Sequence, residues 1–280
     1  MIDNDFGLEF QRQNQPLAHQ KIKDFSQLAK VSDGSTIGDL SNQDLSNQDL
    51  SGQDLSGSNF KNADLSGADL SEANISLANL CGANLSLAYM RGSNLINANL
   101  CEAELISTEL LSAELCSADL QSADLSGANL RGASLSGANL RGANLSHTEL
   151  SSADLSGANL KKAYLRSADF RRANLISANL SYAYLSVSNF KAACLISADL
   201  SGAYLRAADF KNADLRGANL MDANLNSADL RGTNLKSTNF RRTKVEQTLF
   251  GKNLGLSEKI KLDLIQRGAI FDDKGNSQAI

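Results

Sequence analysis

Proline is all but missing from this chain. Pro16 is the only one in 280 residues, tryptophan is absent and aromatic residues make up 5%. That composition is unlike an ordinary globular domain of this size. No stretch approaches the ~18 consecutive apolar residues of a membrane span, which excludes a helical membrane protein. The opening Met1-Ile2-Asp3-Asn4-Asp5 lacks the basic-then-apolar layout of a secretory signal. Four cysteines, Cys81, Cys101, Cys116 and Cys194, are too few for a disulfide framework and are expected as free thiols in a reducing compartment. Only two histidines occur, His19 and His147, far apart and without a Ser or Cys partner for nucleophilic work. No phosphate loop, nucleotide fingerprint or zinc spacing is found. The glycines follow no three-residue period, which excludes collagen. The expectation is a cytoplasmic, soluble, non-enzymatic protein with no cofactor, no metal and no membrane contact.

What is abundant is one repeated phrase. Every position divisible by five from Leu40 to Phe250 is apolar: 43 in succession, of which 34 are Leu and 6 are Phe. Two residues earlier stands a small residue, Ala in 30 of the 43 units, and between them usually Asp or Asn. An α-helix advances about 100° per residue, so a five-residue period would smear leucines around it. In a strand, residues two apart share a face. Ala and Leu then point inward together and the Asp or Asn outward, while the odd step to the next Ala forces a bend. A chain of such bends closes best as a coil, each turn bonding to its neighbours so that no backbone group is orphaned.

The run Ala63-Asp64-Leu65-Ser66-Gly67 and its continuation to Phe250 resembles the pentapeptide-repeat family over residues 38–250. The resemblance implies an all-β solenoid, a right-handed quadrilateral β-helix with four pentapeptides per coil and about 10–11 coils. At the ~4.8 Å strand spacing it would be a rod roughly 50 Å long. Ala is required at the small slot because so narrow a coil has no room for two large side chains per side. Thr233, Thr238, Thr243 and Thr248 near one end, and Gln43, Gln48 and Gln53 near the other, read as the irregularity of terminal repeats.

Open coil ends would recruit other chains, so covers are expected. Residues 1–37 read as a partly helical N-terminal cap, with Pro16 as a helix opener and Ala18, Ile22, Phe25 and Ala29 at helical spacing. Residues 251–271 read as a C-terminal cap. There Ser257 is the N-cap, Leu256, Ile260 and Leu264 form the apolar stripe, and Arg267-Gly268 ends the helix. Ala269-Ile270-Phe271 then folds back, and residues 272–280 fray. The chain is expected as a monomer, with an end-to-end dimer through the C-terminal helix, Leu249 and Leu254 as the alternative.

With the interior fixed by packing, function belongs to the outward positions, where residues 20 apart stack. Charge is segregated: residues 1–150 carry 8 Lys/Arg and 19 Asp/Glu, residues 151–280 carry 19 and 12. One outward column holds Asp49, Asp69, Tyr89, Glu109, Asn129, Glu149, Asp169, Asn189, Asp209 and Asp229. Arg171, Lys191, Lys211 and Arg231 should neutralise its second half, leaving the first half negative, with Glu102, Glu104 and Glu114 deepening the potential on neighbouring faces. Tyr164, Tyr184 and Tyr204 should stack outside, and Phe170, Phe190 and Phe210 inside.

The candidate partner-binding residues are therefore Asp49, Asp69, Glu104, Glu109, Glu114, Glu149, Tyr164, Tyr184 and Tyr204. The leading expectation is a rod that displays side chains to another protein. The resemblance implies one alternative, a DNA mimic binding a type II topoisomerase such as gyrase, from which the basic second half departs. A second alternative is nucleic-acid or carbohydrate binding by the basic, tyrosine-bearing half; nucleic acid is not the expected partner.

Overall fold

A computed structural model of the chain describes residues 38–272. The expected N-terminal cap over 1–37 and all but the first residue of the expected tail over 272–280 lie outside the described residues; Asp272 is held, its N–H donating to Phe250 O at 2.8 Å.

The unit Ala63–Gly67 explains the architecture. Ala63 N–H donates to Phe60 O at 2.9 Å, closing the bend. Asp64 N–H donates to Gln43 O of the preceding coil at 2.9 Å. Leu65 and Gly67 donate to Asn84 O (2.7 Å) and Ser66's counterpart Ser86 O (2.9 Å) of the following coil. The remaining donor, Ser66 N–H, meets the Oδ1 of Asp64 at 3.0 Å. All five N–H groups are thus satisfied, four by backbone and one by the side chain of the central residue.

Parallel pairing steps by 20 residues throughout, from Asp39↔Asn59 to Asn234↔Leu254. Four pentapeptides therefore complete one coil, and the chain is a right-handed quadrilateral β-helix. Its four faces are named here by their central columns. Face one runs from Asp39 to Asn239, face two from Asp44 to Lys244, face three from Asp49 to Leu249, and face four from Asp54 to Leu254, each in steps of 20.

Between faces, the second bend residue takes φ near +60°, as at Asn42 (58°) and Gly67 (64°), the left-handed position of a type II turn. Glycine and asparagine suit it. Val187 at φ 63° does not, because a β-branched side chain crowds its own backbone there.

Inside, the leucine column is almost wholly buried and the alanine slot with it. Phe170, Phe190 and Phe210 stack at 4.7 Å between ring centroids. The threonines in the small slot are not terminal marks. Thr108 and Thr148 occupy it in the middle of the rod, and their buried hydroxyls donate to Leu85 O (2.9 Å) and Leu125 O (3.2 Å). Thr238, Thr243 and Thr248 use the same bond, 23 residues back, at 2.7–2.8 Å. Threonine therefore fits wherever its hydroxyl reaches a bend carbonyl, which removes the cost of burying it.

The C-terminal end is closed by three short elements. Strand β1 (Leu249–Phe250) pairs in parallel with β2 (Ile270–Phe271) after α1 (Glu258–Gln266). Ser257 caps α1, accepting from Ile260 N–H at 3.4 Å, and Gly268 follows at φ 89°. Phe271 stacks on Phe250 at 4.9 Å, and Lys261 Nζ sits 5.1 Å above the Phe271 ring. The expected three-residue stripe is narrower than its spacing suggests. Leu264 is fully buried and Leu256 partly, whereas Ile260 is exposed, so the nine-residue helix is anchored by one side chain of its own.

Candidate functional interface

The central Asp or Asn is a structural part. All 31 Asp or Asn centres from Asp39 to Asn239 accept the N–H two residues on, at 2.9–3.4 Å. Ten centres in that span are something else: Tyr89, Glu104, Glu109, Glu114, Ser134, Glu149, Tyr164, Tyr184, Cys194 and Tyr204. At each of these the bend N–H lacks that side-chain acceptor. A neutral hydrogen bond contributes about 1 kcal/mol, so each departure gives up local stability, and at the glutamates and tyrosines it does so for a longer, exposed side chain.

The departures are not scattered evenly. Glu104, Glu109 and Glu114 are three successive centres on faces two, three and four of one coil, and all three are exposed. They form a belt around the rod rather than a patch on one side. Between Arg91 and Arg131 the sequence holds no lysine or arginine, and these glutamates enter no ion pair among the described residues. Asn129 Nδ2 donates to Glu109 Oε2 at 2.8 Å.

The edge between faces two and three adds apolar surface beside this belt. Leu87 N–H donates to Ile106 O at 2.9 Å, which places the two on adjacent coils, and Tyr89 pairs with Glu109. Leu87 is 63% exposed and Tyr89 56%; Ile106 is exposed as well. Periodicity did not single out Leu87 and Ile106, although large apolar residues at bend positions are a readable departure from the usual Ser-Gly.

Other expected residues are placed as follows. Asp49 and Asp69 pair directly on face three, and Glu149 lies further along that column beside Asn129 and Asp169. The second half of the column is neutralised. Arg171 meets Asp169 at 2.6 Å, Lys191 meets Asp209 at 3.0 Å, Lys211 meets Asp229 at 2.8 Å and Arg231 meets Asp229 at 2.6 Å. Burial pushes Asp229 up, yet the bonds from Arg231 and Lys211 outweigh it and hold its carboxyl at about 2.

Tyr164, Tyr184 and Tyr204 lie on face two, the face of Glu104 but several coils away. Their rings stack at 4.9 Å between centroids, tilted by 5° and 2°. Ring faces are thus turned to one another, and edges and hydroxyls point outward. Bases stack on exposed ring faces, so the ladder offers them little. A shallow open depression near β2 is lined by Lys211, Arg231, Lys252 and Asp272, and two of its three cations, Lys211 and Arg231, are already engaged by Asp209, Asp229 and Asp272. Among the described residues no cluster of three metal-ligating side chains occurs, and no helix is long and apolar enough to cross a membrane.

The pentapeptide-repeat family matches the chain over residues 39–121 and 123–250. Among solved structures it is similar to HetL, a pentapeptide repeat protein involved in heterocyst differentiation regulation from Nostoc sp. strain PCC 7120. That match has 31% identity over 75% of this chain and 90% of HetL, with a TM-score of 0.33. Full-length QnrB1, a plasmid-mediated fluoroquinolone resistance protein, is 21% identical over 78% of this chain and 96% of its own, with a TM-score of 0.38. A pentapeptide repeat protein of the Arabidopsis thaliana thylakoid lumen is 26% identical over 48% of this chain and 80% of its own, with a TM-score of 0.30. No curated protein matches.

Proposed function

The chain belongs to the pentapeptide-repeat family, and on that premise we propose that it is a non-catalytic rod that docks a basic protein partner on its first half. The observation that carries this reading is the run Glu104, Glu109, Glu114. Three successive centres exchange a structural Asp or Asn for a longer carboxylate and forgo the bend hydrogen bond each time. Glutamate there serves nothing in the fold that Asp or Asn does not serve better. The cation-free stretch around the belt raises the negative potential, which favours and steers a positive partner. Leu87, Tyr89 and Ile106 supply the apolar anchor that such interfaces place inside a charged rim. Asp49, Asp69 and Glu149 extend the negative column on face three. The rod acts in the cytoplasm as a monomer. Leu254, Leu262, Ile265 and Ile270, all exposed at the C-terminal end, are the surface an end-to-end dimer would use.

Affinity capture with the purified rod tests this. Glu104→Lys, Glu109→Lys and Glu114→Lys together should abolish a salt-sensitive interaction while circular dichroism stays unchanged, and Leu87→Ser with Tyr89→Ser should weaken it independently. Capture that survives the triple reversal would move the interface to the other half. A gyrase supercoiling assay separates the DNA-mimic reading, which requires protection of the enzyme by stoichiometric rod. Retention on heparin would instead point to the basic half.

A further inference from the structure

The four cysteines are not equivalent. Cys81 and Cys101 occupy the same corner on successive coils, with their sulfurs 3.4 Å apart and both side chains partly exposed. Cys116 lies against Ser134 Oγ at 3.0 Å, and Cys194 stands on face four between Asn174 and Asp214. We propose that Cys81 and Cys101 form a dithiol modification site that reacts with a low-molecular-weight disulfide and closes to a disulfide across two coils.

The backbone holds the pair ready. Asn62 N–H donates to Cys81 O at 3.0 Å, and Gly82 N–H to Cys101 O at 2.9 Å. Cys81 and Cys101 N–H in turn donate to Asn79 and Asn99 Oδ1 at 3.3 and 3.1 Å. Stacked coils sit about 4.8 Å apart, inside the range of Cα separations that a disulfide spans. Closure needs the sulfurs to approach, not the coils to move.

The surroundings assign the two roles. The contact with Cys81, then burial and the nearby charges of Cys81, Glu102 and Asp119, push the Cys101 thiol up to about 11. Lys61 stands at the same corner one coil before Cys81, so Cys81 is the sulfur next to a cation and is assigned as the attacking one. The Cys81 thiolate, its proton lost to solvent, attacks one sulfur of the small disulfide, forms a mixed disulfide and expels one thiolate. That bond removes the contact with the Cys81 thiol that is the first cause of the raised Cys101 thiol. Cys101 then ionises and attacks the Cys81 sulfur, forming the Cys81–Cys101 bond and expelling the second thiolate. Two protein thiols are oxidised and one disulfide is reduced to two thiols.

Oxidised glutathione is the probe, with intact-mass spectrometry of the full chain after acid quench and denaturing alkylation. The wild type should lose two hydrogens and fall from four alkylatable thiols to two, with no retained glutathione. Cys101→Ser should accumulate one glutathione on Cys81, and Cys81→Ser should neither close nor accumulate an adduct faster than Cys116 and Cys194. Serine already holds this corner at Ser41, Ser181 and Ser201, so both variants should fold. Stable glutathione adducts on the wild type, or reaction spread evenly over the four thiols, would overturn the proposal. So would equal closure in urea, since it would remove the folded geometry as the cause.

Discussion

Face one and face two are built on the same scaffold and treated differently. From Asp39 to Asn239 every centre of face one is Asp or Asn, and most bond to the coil before: Asn59 to Asp39 at 2.9 Å, Asn79 to Asn59 at 3.0 Å, Asn139 to Asp119 at 2.9 Å, Asn159 to Asn139 at 3.1 Å. Face two begins the same way, then gives up its amides at Glu104, Tyr164, Tyr184 and Tyr204. A β-helix needs its interior everywhere, but it needs the polar ladder only on enough faces to hold the coils in register. Face one is the spine; the others are free to carry departures. Function is therefore to be sought where the repeat is violated outside, not where it is kept.

The largest test breaks the spine. Asn139 accepts from Arg141 N–H and Asn159 Nδ2 and donates to Asp119. Asn139→Ala removes all three bonds, each contributing about 1 kcal/mol, and should cost roughly 2–3 kcal/mol in chemical unfolding. A cost below that of an alanine placed at Glu104 would mean that face one has no special role.

Acid should attack the paired half next. The Asp229 carboxyl is held at about 2, below the usual ~3.9. Its stabilisation is complete above the unfolded value and is lost as pH falls through about 2. The linkage contributes about 2 kcal/mol, since the side chain is only 13% exposed. Unfolding at pH 5 should therefore separate the wild type from Asp229→Asn by about that amount, and the gap should close toward pH 2. A constant gap would show that packing, not charge, is what the substitution removes.

The interior was legible because it is a steric necessity: a five-residue period admits one inward Leu and one small neighbour, and nothing about the surroundings alters that. Stacking at 20 residues was equally readable, and with it the Phe170 and Tyr164 ladders. Less legible was why Asp and Asn recur. The sequence presents them as merely outward and polar, whereas their Oδ1 supplies the fifth acceptor of each unit. Without that role the Glu belt looks like one more run of acids, and only the bond ledger separates Glu104 from Asp124. For helix α1 the stripe says which residues align and not how deeply each is buried: Leu264 is covered and Ile260 is exposed.

Restoring an amide at the belt gives a smaller effect of opposite sign. Glu104→Asn returns the acceptor for Ile106 N–H and should stabilise the rod by about 1 kcal/mol while weakening partner capture. Stability and binding moving in opposite directions is the signature of a residue kept for its surface role. If Glu104→Asn left stability unchanged, the departures would carry no structural cost and the contrast between faces one and two would lose its meaning.

The smallest effect concerns the edge that borders face two. Val187 sits at φ 63° and is 57% exposed, so it bears the crowding of a left-handed β-branched residue and recovers little by packing. The same corner is glycine at Gly67 and Gly127, where a Cβ on Gly127 would stand 3.3 Å from Ser107 Oγ. Val187→Gly should raise stability by roughly 0.5–1 kcal/mol, the relief of the backbone set against glycine's greater entropy loss. Gly127→Val should lower it by at least as much. The pair forms a mirror test on one edge of one rod: if both substitutions destabilise, Val187 is held by contacts that its exposure conceals, and the corner belongs to the spine rather than to the displayed surface.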